Sequence, residues 1–245
     1  STYSVDWGDG TIEEYVSNIK DAETENEISH IYTENKEFTI TISGPVEVIN
    51  SLGFIGEIPN EIYQYQTNLV AVDLGKLKLL SDLSIYTGKL PNIDISMNTA
   101  LENLSVRKNL LTSIDLTNQP DLKSIYISHN EMTDIDVASI LDLEILSISE
   151  NQVSNIDLSN NGKLISLFAD KNQLNAINLT NNIDLRLLSL SHNNLTSIDV
   201  SKNIELLDIS AGDNKITHVD FSNNPQLRWV NLFQNQITNI DVSTN

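Results

Sequence analysis

Leucine falls on every twenty-first residue from Leu80 to Leu227, through Leu101, Leu122, Leu143, Leu164, Leu185 and Leu206. Between these beats the same apolar slots recur. One coil reads Leu101-x-x-Leu104-x-Val106-x-x-Asn109-x-Leu111-x-x-Ile114-Asp115-Leu116-Thr117. Leu104-x-Val106 alternates with a period of two, which predicts a short strand with its apolar residues turned inward. Ile114-Asp115-Leu116 alternates in the same way, so the opposite side of the coil is expected to be extended rather than helical. A constant short period predicts stacked coils, each too small to bury its own apolar face. Seven full coils run to Gln226 and a partial eighth ends at Asn245.

Asparagine keeps the same step at Asn109, Asn130, Asn151, Asn172, Asn193, Asn214 and Asn235. These amides are expected to turn inward and satisfy backbone groups where the strand bends away. An unpaired buried group there would cost about 1–3 kcal/mol. A second column, Asn98, Asn161, Asn182, Asn203, Asn224 and Asn245, follows the convex segment. Its expected task is the return turn, where asparagine tolerates unusual backbone angles. The coil 122–142 departs here, with Ala138, Ile140 and Leu141 making a more apolar turn.

Residues 1–44 follow another pattern. Tyr3-Ser-Val-Asp-Trp7 and Thr11-Ile-Glu-Glu-Tyr15 flank Gly8-Asp9-Gly10, a hairpin signal. Strand-like runs return at Glu27–Tyr32 and in the alternating Glu37-Phe-Thr-Ile-Thr-Ile-Ser43. Residues 45–79 are transitional: Leu69-x-x-Val72-Asp73-Leu74 matches the second half of a repeat, and Ile62 is in phase with Leu104. They read as a leading cap with a degenerate repeat, ahead of the regular coils of 80–245.

The coil pattern resembles the leucine-rich-repeat family, and specifically the short bacterial type found in surface and secreted proteins. The resemblance covers roughly two-thirds of the chain. It implies a right-handed, β-rich solenoid with a parallel concave sheet that binds ligands. Val5-Asp-Trp-Gly-Asp-Gly-Thr11, His30-x-Tyr32 and Phe38–Gly44 resemble the core of the PKD domain, an immunoglobulin-like sandwich. A full sandwich of that type needs about seven strands, and about four are visible, so the segment is expected to be a β cap. PKD-like strands ahead of such repeats resemble surface proteins of Bacteroidetes-type bacteria.

Composition narrows the function. Net charge is -20, with 34 acidic against 14 basic residues, which disfavours phosphate backbones and anionic membrane surfaces. There is no cysteine, hence no disulfide, cysteine zinc site or thiol nucleophile. No apolar run approaches the roughly 18–20 residues of a membrane span. Neither a Gly-rich phosphate loop nor a GxSxG motif occurs. His129 and His192 lie three coils apart, too far to share a metal, and a serine beside each puts neighbours on opposite strand faces. The chain is therefore read as a non-enzymatic protein without cofactor, and the resemblance implies a place outside the cell or at its surface, with lipoprotein anchoring as one route.

The outward positions of the predicted strands carry many serines, with aromatics standing above them. Tyr86, Arg107, Tyr126, Phe168, Asp170, Trp229 and Phe233 are the expected ligand-binding residues, because exposed aromatics are favoured at interfaces. A protein ligand is expected first; a glycan stacked on the same rings and a purely structural spacer are the alternatives. On the convex side Asp94, Asp115, Asp136, Asp157, Asp199, Asp220 and Asp241 form a column interrupted by Asn178. Neighbours about 5 Å apart in water repel by about 0.8 kcal/mol. Hydroxyls two residues away, such as Ser113 and Thr117, could offset this. Calcium is the other reading, although one carboxylate per coil falls short of about six to eight ligand oxygens. Asp6 and Asp9 are read as turn formers, with a bound cation as the other reading. The last coil lacks a polar cap, so Leu227, Val230, Leu232, Ile237 and Ile240 are expected to border an open edge. Further chain or a second copy of the protein would cover it.

Overall fold

The computed structural model describes residues 2–7, 10–16, 41–43, 51–55, 69–86 and 88–240. The expected strand around Glu27–Tyr32 lies outside them. The first segment forms the hairpin: β1 (Thr2–Asp6) pairs antiparallel with β2 (Ile12–Val16), and β3 (Thr41–Ser43) pairs with the other edge of β1. Val5 and Trp7 are buried, and the Trp7 indole N–H donates to Glu13 Oε2 at 3.0 Å. Gly10 holds φ at +98°, a conformation that favours glycine.

Among the described residues the second sheet has nine parallel strands in chain order. They are β4 (Ser51–Ile55), β5 (Asp82–Tyr86), β6 (Asn103–Arg107), β7 (Ser124–Tyr126) and β8 (Ile145–Ser147), followed by β9 (Ser166–Phe168), β10 (Leu187–Ser189), β11 (Asp208–Ser210) and β12 (Trp229–Asn231). Asp82 pairs with Asn103 and Asn103 with Ser124, each a step of twenty-one residues. Ser51 pairs with Asp82, a step of thirty-one. β4 thus fills the strand slot that phase alone assigns near Ile62, which itself lies outside the described residues.

Each coil contributes about six apolar side chains to one continuous core. In the coil from Leu143 these are Leu143, Leu146, Ile148, Val153, Ile156 and Leu158, all buried. Neighbouring coils adjust their volumes to one another. Leu190 lies in a column between Ala169 and Ala211, and Phe221 follows Val200, all of them fully buried. Among the described residues there is no helix. The convex side runs extended and then makes two tight turns, as where Ile140 N donates to Val137 O and Leu143 N to Ile140 O.

Between strand and core the backbone takes one left-handed step per coil. Lys108, His129, Glu150, Lys171, His192, Asp213 and Gln234 all have φ between 51° and 58°. Each immediately precedes an asparagine of the first column, so the step turns that amide into the core. None is glycine, although the conformation costs other residues about 1–2 kcal/mol. Their side chains point out and pair along the stack: Glu150 Oε1 lies 2.5 Å from Lys171 Nζ and its Oε2 2.8 Å from His129 Nδ1. Lys171→Gly and Lys171→Val both lose the ion pair, but valine adds a β-branched side chain at positive φ. Chemical denaturation is expected to show Lys171→Val less stable than Lys171→Gly by about 1–2 kcal/mol.

The first asparagine column bonds on every side of its amide. Asn172 Oδ1 accepts from Val153 N at 2.9 Å, while its Nδ2 donates to Ile148 O at 3.0 Å and to Ala169 O and Asp170 O at 3.2 Å. Asn130, Asn151, Asn193 and Asn214 repeat the arrangement. Asn109 and Asn235 do so at the ends of the series.

The second column stands in the expected return turns, as where Asn182 N donates to Leu179 O and Leu185 N to Asn182 O, but without the unusual backbone angles. None of its described members has a positive φ. Asn182 is fully buried, and its Nδ2 donates to Leu158 O at 3.1 Å and Asn161 O at 2.8 Å. Its Oδ1, like those of Asn98, Asn161 and Asn203, is buried without a hydrogen-bond partner. These amides clip one convex turn to the turn of the previous coil. Gln119 does the same with a longer side chain, reaching Ile95 O at 2.7 Å. Ile140 fills the slot with hydrocarbon and is fully buried.

Candidate functional site

The concave face is made by the outward positions of β5–β12. On β5 the alternation is complete, with Leu83 and Ile85 buried and Asp82, Ser84 and Tyr86 partly exposed between them. One coil on, Arg107 and Lys108 stand beside the rings. The Arg107 guanidinium carbon lies 4.3 Å from the Tyr126 ring centroid, and Lys108 Nζ lies 5.1 Å from that of Tyr86. Such contacts stabilise by about 0.5–1 kcal/mol where solvent reaches them. Among the described residues Arg107 makes no ion pair, and its Nε is screened from water without a hydrogen-bond partner there. In a chain of net charge -20, this corner is a cationic and aromatic exception.

The middle of the face is a hydroxyl floor. Ser128 Oγ and Ser147 Oγ are 2.7 Å apart, and Ser191 Oγ and Ser210 Oγ 2.8 Å. Asp170 joins the two halves. Its Oδ1 accepts from Ser189 Oγ at 2.7 Å and Ser191 N at 2.9 Å, and its Oδ2 accepts from Ser149 Oγ at 3.3 Å. Both carboxylate oxygens are thus engaged by the protein, which makes Asp170 a positioning residue of the floor. Phe168, half-buried on β9, stands next to it.

At the far end Trp229 and Phe233 are each about half exposed, at 51% and 50%. The Phe233 ring lies over Gly212, where an added Cβ would come within 2.3 Å of the ring. It meets His192 edge to face, with centroids 6.5 Å apart. Val230 and Ile240 are also exposed there, whereas Leu227, Leu232 and Ile237 remain packed against the core. The structure therefore spreads the aromatic candidates along the face rather than gathering them into one pocket. Lys108 is the member that sequence reasoning missed. The signal was a column that is polar at every coil, one residue before each ladder asparagine.

The convex aspartates close local turns. Asp115 Oδ1 accepts from Thr117 N at 3.0 Å and from the Thr117 hydroxyl. Asp94, Asp136, Asp157, Asp199 and Asp220 accept from the backbone N–H two residues on. Asn178 does so too, accepting from Thr180 N, so it does not interrupt the column's function. The Ser96 and Thr117 side chains, then their backbone N–H groups, hold Asp94 and Asp115 below the ordinary carboxylate range. For Asp157 and Asp199 the backbone N–H of Ser159 and Ser201 leads, with the hydroxyl second. Repulsion from Asp94 raises Asp115, but less than these bonds lower it. Among the described residues no cluster of three or more histidine, aspartate or glutamate side chains is arranged to hold a metal ion.

A lowered folded-state pKa means stability present above the unfolded carboxylate value and lost as pH falls through the folded one. Melting temperature is therefore expected to fall below about pH 4. The combined Asp94→Asn, Asp115→Asn, Asp157→Asn and Asp199→Asn variant should lose less on acidification, since Asn178 already shows that an amide serves. An equal fall in both proteins would remove the aspartates from the acid response.

No protein-family model matches the chain, and no curated protein does. Solved structures do. The functional domain of InlJ from Listeria monocytogenes is 29% identical over 72% of this chain and 44% of that one, with a TM-score of 0.66. An internalin C2 from the same species is 25% identical over 71% of this chain and 79% of that one, TM-score 0.62. The plant peptide hormone receptor RGFR1, in complex with RGF2, is 26% identical over 66% of this chain and 29% of that one, TM-score 0.59. The chain thus spans under half the length of the InlJ structure. That domain includes a cysteine ladder; here, with no cysteine in the sequence, asparagine columns run through the coils.

Proposed function

We propose that this chain, a leucine-rich-repeat solenoid of the kind seen in the internalins, is the non-enzymatic binding module of a surface-exposed or secreted bacterial protein. Its concave face engages a protein ligand. The observation that carries the reading is the contrast along that face, where aromatic rings and the Arg107 guanidinium stacked over one of them stand on a floor whose hydroxyls and carboxylate already bond one another. A satisfied floor offers little polar attraction of its own, so the rings and Arg107 supply affinity. Aromatic and arginine side chains are the commonest anchors of protein interfaces. RGFR1, a neighbour by fold, is a receptor seen with its peptide hormone, which supports a protein or peptide partner here.

Two further points favour binding over chemistry. Ser128 and Ser191 bond other serines, and His129 and His192 face carboxylates at their own step of the coil. No helix among the described residues is long and apolar enough to cross a membrane. The half-exposed Trp229 favours glycan stacking as a second reading. Arraying the chain on bacterial and host proteins and on glycans separates the two. Saturable capture by proteins is expected; capture by glycans alone would replace the protein reading, and capture by neither would favour a spacer.

A further inference from the structure

The solenoid's exposed aliphatic residues concentrate away from the concave face. Among the described residues, leaving aside the hairpin's Ile12 and the last coil, the large exposed apolar side chains are Leu79, Met97, Leu110, Leu141, Ile183 and Ile204. All but Leu110 lie in the convex turns. Leu141, Ile183 and Ile204 occupy one column, 59%, 54% and 53% exposed. Pro120, Gly162 and Pro225 complete it, so every coil from 120 to 225 places a non-polar residue there.

Turn geometry does not explain that choice. Each of these residues is the second of a tight turn, as where Leu185 N donates to Asn182 O across Ile183 and Leu206 N to Asn203 O across Ile204. Proline suits this position because its φ is preset. Leucine and isoleucine bring no such advantage, and their side chains stand in water. The following column is acidic, with Asp121, Asp142, Asp184 and Glu205. Its one base, Lys163, is bonded to Asp142 at 2.6 Å. On the other flank, five residues earlier, runs the convex aspartate column.

We propose that this convex edge docks a cationic amphipathic helix of another protein. The coils repeat about every 4.8 Å and a helix advances about 5.4 Å per turn. A helix laid along the stack with one aliphatic residue per turn keeps step with the column over several coils. Lysine or arginine on either side of that ridge would face the two acidic columns. This edge lies across the coil from the sheet, so it stands or falls independently of the concave reading.

The test uses the whole chain and three fluorescent eighteen-residue probes. One is a leucine and lysine helix with a single apolar stripe, one a scramble of the same composition, and one has glutamate in place of lysine. Fluorescence anisotropy is expected to show saturable binding of the first alone. The combined Leu141→Ser, Ile183→Ser and Ile204→Ser variant should bind it at least tenfold more weakly, while Tyr126→Ala with Phe168→Ala leaves it unchanged. All three side chains are exposed, so the serine variant should melt with the wild type, which circular dichroism checks. Equal binding of the scramble would reduce the effect to net charge, and equal binding by the serine variant would remove the stripe from it. Either result overturns the proposal. So does sedimentation showing that the wild type pairs with itself and the serine variant does not, because the occupant would then be a second copy.

Discussion

Asn172→Ala is expected to destabilise the protein by about 3 kcal/mol or more, a loss shared by the other inner members of its column and larger than that of any other polar substitution considered. The amide receives the Val153 N–H and donates to carbonyls of Ile148, Ala169 and Asp170. Removing it leaves several buried groups short of a partner at about 1–3 kcal/mol each. Water cannot replace it, since Val153 and Ala169 are fully buried. Asn182→Leu, in the other column, should cost less than half as much. Its carbonyl oxygen has no partner to lose, and Ile140 shows that hydrocarbon is accepted in that slot. Each coil is held only by its neighbours, so the Asn172 variant should also broaden the urea transition as the two halves of the stack uncouple. Equal losses for the two variants would mean that the columns share one role.

Much of this was legible in the chain. The leucine beat gives the stack, and the two alternating triplets give the parallel sheet and a convex side without helix. The first asparagine column could be placed because a strand that bends away must leave backbone groups to satisfy. Other features carried no compositional mark. Left-handed backbone is usually betrayed by glycine, yet here it falls on lysine, histidine, glutamate, aspartate and glutamine. The step from β4 to β5 is ten residues longer than the rest, and a period cannot announce where it fails. Asp170 read as a ligand-binding residue because its partners, Ser149 on one side and Ser189 and Ser191 on the other, come from the two flanking coils. Phe233 stood out as an aromatic, but only its position over Gly212 shows that part of the ring is spent on the protein itself.

The second large effect concerns binding. Replacing Tyr126 and Phe168 together by alanine is expected to weaken the concave complex by at least about a hundredfold. Truncating a central aromatic anchor typically costs about 2 kcal/mol or more, and each 1.4 kcal/mol is about a factor of ten. Tyr126→Ala also releases Arg107 from the ring it lies over, which frees a guanidinium that the ring now holds in place. Both rings are only half-buried and Leu167 and Ile125 behind them keep the core closed. The fold should therefore survive, with a melting temperature close to that of the wild type.

That pair of readings is the direct test of the concave-face account. The affinity of wild type and of the Tyr126→Ala, Phe168→Ala variant would be measured for the protein partner selected on the array, beside a melting curve of each. The account predicts a hundredfold weaker complex from a protein that melts as before. An unchanged affinity in the folded variant would contradict it.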